Sequence, residues 1–106
     1  MSLPTQPEDL RDKNNNPVIM TPHAKQRAEE RAVDEQEILD VINNPIETIY
    51  DENNQTWKSY SKIIDKYRKE ERILIVVHTK YNLGVKIVTM FWSNRGGLSF
   101  HGFSKL

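Results

Sequence analysis

The hydrophobic pattern of the chain changes its period once, at the tripeptide Asn43-Asn44-Pro45. Before this point, apolar residues recur at the spacing of one helix face, as in Ile38, Leu39, Val41 and Ile42. After it, apolar residues recur with the period of two that is typical of strands. Because proline pushes the preceding residue out of the helical region, the helix ends here. A chain that is first helical and then stranded predicts the α+β class.

Two helices are predicted before this change of period. The first runs from Pro22 to about Arg31, with Thr21 as its cap and proline at a position that tolerates it. The second begins after Asp34, because Asp34 and Glu37 have the spacing of a capping box.

Four strands are predicted after it, as two antiparallel pairs: Ile46–Asp51 with Thr56–Ile64, and Arg72–Lys80 with Val85–Ser93. Asn82 and Gly84 suit a positive φ in the turn of the second pair. Val18–Met20 is a candidate for an additional short N-terminal strand. We therefore expect two N-terminal helices packed on one face of a four-stranded antiparallel sheet, with the other face free for function.

Both ends of the chain carry loop markers instead of a hydrophobic period. Residues 1–17 hold three prolines and a run of asparagines, which predicts a flexible arm. Two glycines open a tail over residues 95–106. A single α+β domain over residues 18–94 is expected between them.

Charge is segregated along the chain, although the net charge is zero. Residues 1–56 carry five basic and twelve acidic side chains, and residues 57–106 carry ten basic and three acidic ones. The basic half suits an anionic partner; alternatively, the two halves neutralise each other in the fold. With no cysteine, disulfides and thiolate metal sites are excluded. No signal peptide or membrane-spanning run is recognisable, so we expect a cytoplasmic protein without membrane contact.

The first helix carries a candidate catalytic group. His23, Arg27 and Arg31 follow each other at intervals of four residues, which places them along one helix face. An imidazole beside two guanidiniums suits proton transfer next to a bound phosphate. The alternative is structural: the two arginines pair with nearby carboxylates, such as that of Glu30, and the histidine only decorates the start of the helix.

The strand around Tyr60 carries candidate nucleic-acid contacts. Alternation places Lys58, Tyr60 and Lys62 on one face, where the lysines suit phosphates and the ring suits a stacked base. Lysines are also common on solvated sheet faces that bind nothing.

A second histidine lies on the next strand. On this strand, the alternating residues Ile73, Ile75 and Val77 form the predicted core face. His78 and Lys80 are therefore expected on the opposite face. These two side chains are a further catalytic and a further nucleic-acid-binding candidate, although a strand histidine is more often structural.

Other chemistries lack their motifs. The sequence has no phosphate-binding glycine loop, no histidine pair with metal-ligand spacing and no serine nucleophile elbow. We therefore expect neither a metal nor another cofactor.

The segment His23-Ala24-Lys25-Gln26-Arg27-Ala28-Glu29-Glu30-Arg31 resembles the His-Ala-x-x-Arg-x-x-x-Arg opening of the domain-of-unknown-function family numbered 4258. As in that family, a capped helix ending in Asn44-Pro45 follows, and then an aromatic strand, a valine-rich strand and a Val-Thr strand. The resemblance covers about residues 20–93.

This resemblance implies a place near the RelE-like and barnase-like ribonuclease toxins. Such proteins cut RNA without a metal, by attack of the 2′-hydroxyl on the adjacent phosphate. His23, Arg27 and Arg31 match the family motif, whereas Lys58, Lys62 and His78 do not rest on it. The toxins are usually strongly basic, and this chain differs in being neutral overall.

The sequence thus predicts a metal-independent endoribonuclease of toxin type, with RNA as substrate and a cognate antitoxin as a candidate partner. His23 is the predicted acid or base, and Arg27 and Arg31 are the predicted phosphate ligands. The alternative is a non-catalytic RNA-binding or protein-interaction module on the same fold. A helix-turn-helix DNA reader is excluded, because the second helix is acidic.

Overall fold

The computed structural model describes residues 10–65 and 68–105. Along the chain, the elements are β1 (Val18–Met20), α1 (Pro22–Glu30), α2 (Glu35–Asn43), β2 (Glu47–Asp51), β3 (Thr56–Ile64), β4 (Glu71–Tyr81), β5 (Gly84–Ser93) and α3 (Arg95–Phe100). The α+β class is confirmed, and so is the order of α1 and α2 before strands β2 to β5. Among the described residues, no helix is long and apolar enough to cross a membrane.

The strands form one sheet in the order β1-β5-β4-β3-β2. Strands β2 to β5 are antiparallel neighbours, as predicted. The additional strand β1 pairs in parallel with the start of β5, where Val18 lies opposite Val85. The sheet therefore has five strands, and the described residues form three helices instead of the two expected.

Helices α1 and α2 cover one face of the sheet. The hydroxyl of Thr21 accepts from the backbone N of Ala24, and the carboxylate of Asp34 accepts from the backbone N of Glu37, whose own carboxylate accepts in return. Between these helices and the sheet lies the larger core, which includes Ala24, Ala28, Ile38, Val41, Leu74, Val76, Ile87 and Met90. Local capping thus starts each helix where its apolar side meets the sheet.

The opposite face was predicted to be open, and this expectation is wrong. Leu74 and Val76 face α1 and α2, whereas Ile73 and Ile75 belong to a second buried cluster on the other side. This cluster is closed by the residues predicted as a tail, because they form α3 and place Leu98 and Phe103 against the sheet. The central strand β4 is apolar in both of its rows since both of its faces are covered.

Part of the predicted N-terminal arm also has a defined structure. Residues 1–9 lie outside the described residues, but Arg11 and Pro17 form a bridge across a turn. Gly84 lies against this turn, where a Cβ atom would collide with the carbonyl oxygen of Pro17. Gly84 is thus required for close approach, while Asn82 supplies the positive φ of the turn, at 52°.

Candidate active site

The group predicted on α1 does not converge in the structure. His23 is exposed, and Nη1 of Arg27 forms an ion pair with Oε1 of Glu30 at 2.7 Å. Arg31 lies beyond the last helical residue, and its Nη1 donates to the carbonyl oxygen of Met90 at 2.6 Å. Arg27 therefore pairs with a nearby carboxylate, as in the structural alternative to a catalytic role. Arg31 instead joins the end of α1 to β5.

His78 was predicted on the face opposite the core, and this is wrong, because it lies on the face of the sheet that α1 and α2 cover. There it belongs to a chain of hydroxyl groups. Its Nε2 is 2.8 Å from Oγ of Ser59, which is 2.7 Å from Oγ1 of Thr48. Burial lowers the pKa of His78 to about 4, so its ring is neutral at pH 7. Nearby, Nζ of Lys80 lies 5.5 Å from the centre of the Trp57 ring.

The row Lys58, Tyr60 and Lys62 lies on the opposite face, which carries α3. Tyr60 is 1% exposed, and its ring centre lies 4.8 Å from that of Phe103. The expectation that Tyr60 stacks a base is corrected, because this ring is covered by the residues after α3. Lys58 and Lys62 lie on the two sides of this covered region, and each lines a pocket.

The pocket at Lys58 brings together more ionisable and polar side chains than any group of residues that the sequence predicted. It has a volume of about 480 Å³ and is lined by Asp51, Asn54, Thr56, Lys58, Val77, Val88, Thr89, Phe91 and His101. Strand β3 and the end of β2 supply its polar side, β4 and β5 its apolar floor, and the end of α3 its histidine. We call it the Lys58–His101 pocket.

The sequence prediction missed His101, because it lies in the segment that was interpreted as a tail. Its backbone N donates to the carbonyl oxygen of Gly97 at 3.0 Å, which caps α3 and holds the residue at the sheet. Its ring centre lies 4.9 Å from that of Phe91. The signal available in the sequence was the pair of apolar residues Leu98 and Phe103, which anchor this segment.

The charges in the Lys58–His101 pocket suit proton transfer at neutral pH. Burial, and then the charge of Lys58, lowers the pKa of His101 below its usual value, so its ring is neutral at pH 7 and free to accept a proton. A hydrogen bond from the side chain of Asn54 lowers the pKa of Asp51, so this carboxylate is ionised. Its Oδ2 lies 3.9 Å from Nζ of Lys58 and holds the ammonium at the pocket.

Two further features point to a polar, ring-bearing ligand. Oγ1 of Thr56 is buried and has no hydrogen-bond partner within the described part of the chain. A buried hydroxyl without a partner is costly, and a bound polar group would satisfy it only after a shift of the pocket wall, because this oxygen has almost no accessible surface. Beside the pocket, Phe100 is 87% exposed and its ring centre lies 5.5 Å from that of His101, which offers a surface for a base.

The fold and the pocket together define an α+β domain in which α1 and α2 cover one face of the sheet, while α3 and the Lys58–His101 pocket lie on the other. The family model described as "Domain of unknown function (DUF4258)" matches residues 20–92, and the chain belongs to this family. Lys58 lies inside the matched range and His101 outside it. Neither the curated proteins nor the solved structures contain a match to the chain.

The described residues include no group of three or more histidine, aspartate or glutamate side chains that could hold a metal ion.

Proposed function

We propose that this protein is a metal-independent endoribonuclease whose reaction takes place in the Lys58–His101 pocket. The observation that carries the proposal is the placement of a neutral histidine, a lysine and an unpartnered threonine hydroxyl around one pocket. A volume of about 480 Å³ lies within the range of small-ligand sites, and an apolar floor at Phe91 suits a nucleotide base.

The reaction follows from the protonation states of the two side chains. Neutral His101 takes the proton of the ribose 2′-hydroxyl, and the 2′-oxygen attacks the adjacent phosphorus. The ammonium of Lys58 stabilises the charge on the phosphoryl oxygens. As the bond to the 5′-oxygen breaks, this oxygen takes a proton from Lys58, and exchange with water restores both side chains. The products are a 2′,3′-cyclic phosphate and a 5′-hydroxyl.

The distribution of charge supports a polyanionic substrate. The C-terminal half, which supplies β3 to β5 and α3, carries ten basic and three acidic side chains. Such a surface attracts RNA through its phosphates. The proposal places the protein with the RelE-like and barnase-like toxins and in the cytoplasm with its substrate, on the resemblance of its first helix.

RNA cleavage in the presence of EDTA tests the proposal. The wild type is expected to cut RNA, and His101→Asn and Lys58→Met to lose about 10²-fold or more in rate. Lys25→Met removes an exposed cation on the α1 side and is expected to retain the wild-type rate. Circular dichroism shows whether each variant is folded.

Two results would overturn the assignment. A loss of cleavage in His23→Asn, with full activity in His101→Asn, would move the reaction to the face of α1. Folded wild-type protein that binds RNA without cutting it would establish the non-catalytic RNA-binding module instead.

A further inference from the structure

A second pocket lies on the same face of the sheet as the Lys58–His101 pocket. It has a volume of about 390 Å³ and is lined by Lys62, Glu71, Arg72, Ile73, Ser93, Asn94 and Arg95. Three of these side chains are cations and one is a carboxylate. We call it the Lys62–Arg95 pocket.

Two of the three cations are available to a ligand. Arg72 is already engaged, because its Nη1 lies 2.8 Å from Oδ2 of the buried Asp65 and its guanidinium lies 4.3 Å from the centre of the Trp92 ring. Lys62 and Arg95 are exposed, and neither forms an ion pair with a carboxylate within residues 10–65 and 68–105.

Helix α3 lies between the two pockets and connects them. It contributes Arg95 to one pocket and is followed by His101 at the other. It buries Leu98 and exposes Ser99 and Phe100. On the underlying strand, Lys58 and Lys62 are four residues apart, which corresponds to about 13 Å. A cation, an exposed aromatic ring and a second cationic pocket therefore follow each other across this face.

We infer that the Lys62–Arg95 pocket is a phosphate-binding subsite for the nucleotides that flank the cleavage point. RNA would cross α3 with its scissile phosphate at Lys58 and His101, a base on Phe100, and a further phosphate at Lys62 and Arg95. This inference rests on the proposed function. Aromatic rings between cations are the pattern by which proteins hold single strands.

The acidic side of the molecule restricts the path of the strand. Lys62 also borders a groove at α2, lined among others by Asp34, Glu37 and Asp40. Among the described residues that line it, the groove holds three carboxylates and no cation besides Lys62, whereas the Lys62–Arg95 pocket holds one carboxylate, Glu71, and three cations. Because carboxylates repel phosphates, RNA held at Lys62 is directed towards Arg95 and α3. The subsite therefore acts on substrates long enough to cross the helix, and not on the shortest ones.

The test compares a dinucleotide with an RNA of about ten nucleotides, a length within the usual range of single-strand sites. The double variant Lys62→Ala/Arg95→Ala is expected to raise the KM for the longer RNA about tenfold and to leave kcat unchanged. The kinetics of the dinucleotide are expected to stay at the wild-type values. Lys13→Ala/Lys25→Ala removes two exposed lysines elsewhere and provides a control of equal charge.

The salt dependence of binding tests the subsite without using cleavage. Loss of one or two phosphate contacts is expected to reduce the slope of log K against log salt by about 0.7 to 1.4 for single-stranded RNA. If the wild type does not cleave but this reduction is seen, the proposed reaction fails and the subsite stands. An equal effect on the dinucleotide, or an equal effect of the control variant, would overturn the subsite.

Discussion

Nη1 of Arg31 donates to the carbonyl oxygen of Met90 at 2.6 Å, which ties the end of α1 to β5. Strand β1 pairs with β5 only as far as Ile87, so this carbonyl lies beyond the end of its neighbouring strand. Nε1 of Trp92 donates back to the carbonyl oxygen of Arg31 at 2.8 Å. The two bonds satisfy backbone groups at the point where helix and sheet meet.

Replacement of this arginine is therefore expected to reduce stability. Arg31→Ala should lower the free energy of unfolding by about 1–3 kcal/mol, because it leaves a part-buried carbonyl without its donor. Arg27→Ala breaks an exposed ion pair and should cost at most about 1 kcal/mol. Urea denaturation of the two variants checks the difference. Equal stability of Arg31→Ala and the wild type would contradict a structural role.

The neutral ring of His78 makes stability depend on pH. Since burial holds its pKa at about 4 in the folded state, against about 6.5 in the unfolded chain, the unfolded state binds the proton more tightly. The contribution of neutral His78 to the free energy of unfolding is complete above pH 6.5 and is lost as the pH falls from 6.5 towards 4.

His78→Gln removes this dependence and retains an amide that can bond to Ser59. Between pH 7 and pH 5, the wild type is expected to lose about 1–2 kcal/mol more stability than the variant. Urea denaturation at both pH values measures the difference. Parallel losses in the two proteins would show that His78 is not the group responsible.

Removal of the unpartnered hydroxyl of Thr56 is expected to affect stability and RNA binding in different ways. Thr56→Val keeps the shape of the side chain and removes a buried polar atom without a partner, so the free protein should be as stable or more stable. RNA binding should weaken, because the hydroxyl no longer meets the ligand. Denaturation and fluorescence anisotropy measure the two effects. A marked destabilisation, or unchanged RNA affinity, would contradict this role.

The elements that were predicted correctly depend on local signals. The capping box at Asp34, the break at Pro45 and the strand alternation after it act over a few residues, so the sequence displays them directly. By contrast, α3 contains two glycines in six residues, and its position depends on contacts of Leu98 and Phe103 with a distant sheet. Such tertiary contacts have no local pattern.

The candidate site was predicted in part, for a related reason. Alternation placed Lys58 and Lys62 on the face opposite α1 and α2, where each lines a pocket, but it also assigned His78 to that face, and His78 lies on the face of α1 and α2. Tyr60 shares this face with the two lysines but is buried under Phe103, and the sequence does not show where the segment that carries Phe103 packs. His101 was missed for the same reason, because it reaches the pocket only through α3.

The role of His101 as a base predicts the form of the pH–rate profile. Its pKa is lowered by burial and by Lys58, so kcat/KM should rise with pH and reach its plateau at a lower pH than an ordinary histidine would give. His101→Asn should abolish this rise in the remaining activity. A profile that is the same in both proteins would assign the base to another group.

A DNA oligonucleotide that contains a single ribonucleotide, with EDTA present, tests whether the protein cuts RNA through the 2′-hydroxyl. We expect one cut, on the 3′ side of the ribonucleotide, leaving a 2′,3′-cyclic phosphate, because attack requires the 2′-hydroxyl. His101→Asn, folded and able to bind the oligonucleotide, should not make this cut. Cleavage at deoxyribonucleotides, or no cleavage by folded wild-type protein that binds the oligonucleotide, would rule out the proposed reaction.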